Sequence, residues 1–338
     1  MSPKPRILLV TGIYPPDIGG PAKYAQNLVE TFRKLGHRTE VISFGRFRKF
    51  PSGPRHLLFF LKILVPVYRS DLVLILDTFS VALPAVVAAR LFGRKTIIRV
   101  GGDFLWESYV ERIHQPITLP SFYLNFDSLK LNLKERIIEK IIYQLLCWAD
   151  GLVFNSQWLL DIWKNFYGLK DGRIVVIDNF FDKQEPLQTK NKILLFAGRD
   201  LYLKNEPLID KLKLELKVSH PTFQVVKCRL AHGDFVEKLR SSYAVLIPSL
   251  SEVNSNIAAE AISGGTPCVI TSYSGLSNQL MVGVRTFDPN NFADFVSQVG
   301  AILEEDNYRR LIDQIKRISY RRSWEEISQE YLKFANLL

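Results

Sequence analysis

The chain has 338 residues, 47% of them apolar, and a formal net charge of +10. Its length exceeds one ordinary domain of roughly 100 to 200 residues and suits two, and its composition excludes disordered, fibrous and collagen-like chains. The basic balance attracts phosphorylated substrates, anionic lipid or nucleic acid, but no nucleic-acid motif accompanies the charge, so nucleic acid is excluded as a partner.

In chain order, the short apolar run Ile7 to Val10 is followed by Gly12, Pro15 and Pro16, which reads as a first strand rather than a signal peptide. The next segment, "TGIYPPDIGGPAKYAQNLVETFRKLGH", sets Gly19-Gly20 directly before an amphipathic helix. A helix start at the carboxyl end of a strand offers free N–H groups to an anion. The dinucleotide pattern Gly-x-Gly-x-x-Gly is absent, and a plain tight turn accounts for these glycines equally well. A strand over Thr39 to Phe44 then leads into a basic, aromatic-rich stretch. Between Gly45 and Ser70 it carries Arg46, Arg48, Lys49, Arg55, Lys62 and Arg69 and no acid. Such a stretch suits either an anionic membrane surface or an ordinary helix with solvated charges. Its apolar core, Leu57 to Val67, is broken by Lys62 and Pro66 and falls short of the ~20 residues of a membrane span.

Further strands are expected over Asp71 to Leu76, Lys95 to Val100, Gly151 to Asn155 and Ile174 to Ile177. The polar stretch "DKQEPLQTKN", Asp182 to Asn191, reads as a linker. A second series follows, with strands from Lys192 and over Phe223 to Lys227, Tyr243 to Pro248, Thr266 to Thr271 and Val284 to Phe287. Alternation of β-branched runs with amphipathic helices is the signature of βαβ units around parallel sheets. The expectation is an α/β chain of two doubly wound domains, residues 1–183 and 190–320, with a last amphipathic helix over 321–338. Cys147, Cys228 and Cys268 are odd in number and set in apolar sequence. They suit buried thiols in a reducing compartment, and a cytoplasmic location is expected.

The most informative segment is "LIPSLSEVNSNIAAEAISGGTPCVIT", Leu246 to Thr271. A strand ends at Pro248, a loop carries Glu252, a helix starts near Asn256 and Ile257 and holds Glu260, and Gly264-Gly265 end it. This segment resembles the Glu-x7-Glu signature and "EA-x-x-x-GTP" continuation of the family 4 retaining glycosyltransferases. "AGRDLYLKN", Ala197 to Asn205, is similar to that family's "GR-x-x-x-x-K" element, and "SWEEISQEYLKF" to its last helix. The resemblance covers nearly the whole chain.

It implies the GT-B fold, two Rossmann-like domains facing across a cleft with the last helix crossing back to the first. It also implies that Glu260 accepts from the ribose hydroxyls of a nucleotide-sugar donor and Glu252 from the sugar. Arg199 and Lys204 would neutralise the diphosphate. Gly19 and Gly20 would approach it from the other domain, with Asn254, Ser255, Asn256 and Ile257 beside the donor. A carboxylate can accept from two vicinal hydroxyls at once through charge-assisted bonds. The activity implied is retaining sugar transfer to a glycan or lipid-linked acceptor in cell-surface glycan synthesis, compatible with the inner membrane face.

Three departures stand out. "RVGGDFLWE", Arg99 to Glu107, has Gly101 and Gly102 where many relatives place a histidine, leaving Asp103 as the catalytic candidate and Glu107 one turn on. "VNSN" replaces a glycine-rich loop after Glu252, and the stretch from Asn205 to Tyr243 is short, without the family's "GDG" loop. Scattered histidines and the lack of an Asp-x-Asp pair give no metal site, so metal-independent transfer with no cofactor is expected. The departures leave two rival activities: a non-catalytic sugar-nucleotide-binding module, or an epimerase that needs no acceptor.

Overall fold

The computed structural model describes residues 4–17, 19–185, 190–198, 200–228 and 232–338. Contacts divide the chain into two compact units. The first holds Met1–Leu105, Lys130–Asp178 and Ser323–Leu338, and the second Trp106–Leu129 and Asn179–Arg322.

The first half runs β1 (Ile7–Thr11), α1 (Gly20–Lys34), β2 (Thr39–Ser43), α2 (Ser52–Arg69), β3 (Leu72–Ile75), α3 (Ala82–Leu91), β4 (Lys95–Val100), α4 (Phe104–Ile113) and α5 (Leu119–Leu124). It continues with α6 (Leu133–Trp148), β5 (Gly151–Phe154), α7 (Gln157–Tyr167) and β6 (Ile174–Val176). The strands form one parallel sheet in the order β2-β1-β3-β4-β5-β6. Strands such as "ILLVT" in β1 and "LVLI" in β3 are buried along their whole length, as continuous apolar runs are when helices cover both sheet faces.

The second half runs β7 (Asn191–Ala197), α8 (Glu206–Ser219), β8 (Gln224–Cys228), α9 (His232–Ser241), β9 (Ser242–Ile247) and α10 (Asn256–Ser263). Then come β10 (Cys268–Thr271), β11 (Val284–Phe287), α11 (Phe292–Leu303), α12 (Glu305–Lys316) and α13 (Trp324–Leu337). Its parallel sheet has the order β11-β10-β9-β7-β8. Both expected strand series are therefore present. The short stretch from Asn205 to Tyr243 still accommodates α8, β8 and α9.

The helix ends follow capping chemistry. Ser323 opens α13 in a capping box with Glu326, and Asn132 does the same for α6 with Glu135, arrangements worth about 1 kcal/mol each. The apolar face of α13 places Ile327, Tyr331 and Phe334 in the first unit's core beside Leu28 and Phe32 of α1. The division between units falls at Asp178 and Asn179, ahead of the polar 182–191 stretch, because Phe181 is already buried in the second core. The Phe181 backbone also pairs with Arg322 in both directions, at 3.1 and 2.7 Å. Of the three cysteines, Cys228 and Cys268 are buried, but Cys147 is exposed near the end of α6, correcting the expectation of three buried thiols.

Candidate active site

In an open parallel sheet, ligands bind beyond the carboxyl ends of the strands, where the strand order reverses. In the second sheet that point lies between β7 and β9, since β8 leaves β7 on one side and β9 on the other. The β7 exit loop carries Lys204 and the β9 exit loop carries Glu252, so two neighbouring strands deliver them to one place. Lys204 Nζ lies 2.6 Å from Glu252 Oε1, and both side chains are more than four-fifths buried. The Ser249 hydroxyl donates to the same carboxylate oxygen at 2.6 Å. The two loops are also stitched by Leu250 N–H donating to Leu203 C=O at 2.9 Å. The Glu252 backbone donates to Tyr273 C=O and accepts from Gly275 N–H, which fixes where its side chain starts.

Beyond Glu252, Ser255 is the N-cap of α10, its hydroxyl accepting from Ala258 N–H at 3.3 Å. Asn256 Oδ1 accepts from Asn179 Nδ2 at 3.0 Å. Asn254 and Glu260 are half-buried, Glu260 on the second turn of α10. Ile257 is partly buried, its side chain packed against the second core. Gly265, at φ +73°, adopts the left-handed backbone that ends the helix, and a Cβ at Gly264 would come within 2.4 Å of the Arg240 stem. That is the physical need behind the glycine pair. Arg199 lies outside the described residues.

In the first unit the order reverses between β1 and β3, and the loop after β1 contains Gly19 and Gly20. Gly19 is the N-cap of α1 at φ +148°, its C=O accepting from Ala22 N–H and Lys23 N–H, and Gly20 is the first helical residue. Asp103, the expected catalytic candidate, follows β4. It is fully buried, and its Oδ2 accepts from the Trp163 indole N–H at 2.8 Å, which ties it to α7. At Gly101, a Cβ would lie 2.0 Å from an Arg99 nitrogen, because Arg99 folds over that position to stack on the Tyr24 ring at 4.0 Å. A histidine there would have to displace Arg99.

Three features are not evident from the sequence. Glu111 of α4 accepts from Tyr202 N–H at 3.1 Å and Leu203 N–H at 3.0 Å, clamping the turn that ends at Lys204. Leu119 N–H likewise donates to buried Ser251 Oγ beside Glu252, at 2.9 Å. The segment Trp106–Leu129 thus braces both loops, a tertiary relation that no local motif encodes. In the first unit, His56 of α2 stacks 5.1 Å from Phe44; burial first, and neighbouring Arg55 second, hold its pKa below the ordinary imidazole value. The sequence signal there was only a lone histidine among aromatics, which is usually structural.

Comparison with known proteins places this arrangement. The model of Glycosyltransferase Family 4 matches residues 18–185. The chain is a glycosyltransferase whose first half is similar to that family. An uncharacterized glycosyltransferase of Methanocaldococcus jannaschii is 24% identical over 96% of both chains. This glycosyltransferase has the GT-B fold of its solved neighbours. The HepE protein of Anabaena, solved in complex with UDP, superposes with a TM-score of 0.67 at 13% identity, covering 98% of this chain and 100% of its own. Sucrose-phosphate synthase of Thermosynechococcus elongatus gives 0.68 at 12% identity, with 98% of each chain covered. In the described part of this glycosyltransferase no helix is long and apolar enough to cross a membrane.

Proposed function

We propose that this glycosyltransferase transfers a sugar with retention of configuration from a nucleoside-diphosphate donor bound on its second unit. The observation that carries the reading is the Lys204–Glu252 pair at the strand-order reversal. A lysine ammonium has three donor hydrogens. One can stay on Glu252 while another turns to a diphosphate oxygen. Glu252 keeps Oε1 for Lys204 and Ser249 and presents Oε2 to a sugar hydroxyl. Glu260 accepts from the ribose, and Asn254, Ser255 and Asn256 line the sugar.

Departure of the nucleoside diphosphate builds negative charge on its oxygens, which preorganised cations stabilise best where water is scarce. Lys204 and Arg199 supply that charge without a metal ion, and the leaving phosphate takes the acceptor's proton. The acceptor is a glycan or lipid-linked precursor met at the inner face of a membrane, in cell-surface glycan synthesis. A uridine nucleotide is the first donor class to test, given the ligand in the HepE crystal.

The test is a thermal-shift screen of uridine, guanosine and adenosine diphosphate sugars on the native protein and on Glu260→Ala. A donor at about a hundred times its Kd adds roughly 2.7 kcal/mol of stability to a state that alone binds it. The reading expects one base class to raise the native Tm and to do so less in Glu260→Ala. Equal shifts in both proteins reject the ribose contact.

A further inference from the structure

Helix α2 is apolar on two sides. Phe59, Ile63 and Val67 are fully buried against the first unit, whereas Leu57, Leu61, Val65 and Tyr68 point outward with more than half their surface exposed. The outward four recur at spacings of four, four and three residues, one helix face roughly 16 Å long at 1.5 Å rise per residue. At its end the Tyr68 ring meets Phe92, at the C-cap of α3, edge-on at 5.4 Å.

Cations frame this surface. Lys62 and Arg69 are exposed along one side of the stripe, and the chain from Gly45 to Ser70 contains no acid. Arg94 sits 5.7 Å over the Tyr68 ring and donates to the Tyr68 C=O. Arg90 at the end of α3 sits 5.5 Å over the ring of Trp148, which is itself part-exposed at the end of α6. Exposed leucine and valine, aromatic rings and guanidinium groups in one belt are the composition of a membrane-interface surface.

We propose that this face of the first unit docks on an anionic lipid bilayer, with the outward stripe among the acyl chains and the basic residues at the headgroups. Charge decides between occupants. A second copy placed face to face would oppose Lys62 and Arg69 to like charges, which disfavours pairing. An anionic lipid surface complements the apolar stripe and its cations together. The proposal rests on the reading of a membrane-borne acceptor and names the surface that reaches it.

The experiment is co-sedimentation with phosphatidylcholine vesicles made with and without phosphatidylglycerol. It uses the native protein, a Leu61→Asp/Val65→Asp double variant and a Lys62→Glu/Arg69→Glu double variant. All these positions are solvent-exposed, and retained donor-induced thermal shifts report that each variant is folded and competent for donor. The expectation is pelleting of the native protein with anionic vesicles only, weakened by salt and lowered about tenfold or more in either variant. Equal pelleting of native and Leu61→Asp/Val65→Asp protein overturns it. So does a dimer in size-exclusion chromatography that this variant abolishes while vesicle binding is absent. Loss of the donor shift in native protein with vesicle binding intact would sink the proposed function and leave the surface standing.

Discussion

Lys204 and Glu252 are forty-eight residues apart in the chain, yet Lys204 Nζ donates to Glu252 Oε1 at 2.6 Å, because their loops leave adjacent parallel strands at the point where the strand order turns. In the proposed donor complex this bond stays in place while the remaining Lys204 hydrogens and Glu252 Oε2 meet the donor. Removing the charge at either end should therefore cost chemistry more than folding. Lys204→Met and Glu252→Gln should each lower kcat by about a hundredfold or more, the scale seen when one preorganised charge-stabilising group is lost. Initial rates on folded variants check this, and full activity in Lys204→Met would contradict it.

Glu111 acts one step back from the site. Its carboxylate holds two backbone N–H groups of the Lys204 turn, and hydrogen bonds to a charged group contribute about 1.5 to 3 kcal/mol each. Glu111→Ala should speed hydrogen exchange at the Tyr202 and Leu203 amides and raise the KM for donor. Glu111→Gln keeps one acceptor oxygen and should recover part of both effects. Unchanged exchange at these two amides in Glu111→Ala would remove Glu111 from this role.

Asp103 gives the opposite expectation. Because its Oδ2 is occupied by the Trp163 indole within the core, Asp103→Asn, which keeps an acceptor oxygen, should retain most activity per folded molecule. Asp103→Leu leaves the buried indole N–H without this partner and should cost about 1 to 3 kcal/mol of stability by denaturant titration. A large kcat loss in a stable Asp103→Asn protein would restore a catalytic part to this residue.

His56 predicts a pH effect. Its folded pKa lies below the unfolded value, through burial and Arg55, with an opposing pull from Ser80 and Asp77. Above the unfolded imidazole pKa both states are neutral and no stability is lost. As pH falls through that value the unfolded chain takes up the proton first, so stability drops with acid. Urea unfolding at mildly acidic and neutral pH should show a smaller acid loss in His56→Gln than in native protein. An equal loss in the two would show that His56 does not contribute.

The sheets and the donor-side loops were legible because their signals are local. Short runs such as "LVLI" and "GLVF", set between polar residues, read as strands buried on both faces, and the Gly264-Gly265 stop answers to the positive φ at Gly265. What stayed hidden depends on distant partners. Asp103 reads identically in sequence whether it faces solvent or a tryptophan sixty residues away. Glu111 lies on an ordinary helix, and nothing local shows that Trp106–Leu129 packs with the second unit. Cys147 sits between apolar neighbours, yet helical geometry turns it outward while Leu145 and Leu146 turn in.

Binding of the donor diphosphate by Lys204 is tested most directly by calorimetric titration of two ligands against two proteins. Native protein and Lys204→Met are titrated with the nucleoside diphosphate of the responding base class and with the matching nucleoside. The account predicts that Lys204→Met weakens the diphosphate about tenfold, near 1.4 kcal/mol, and leaves the nucleoside unchanged. Equal affinities of the two proteins for the diphosphate would contradict it.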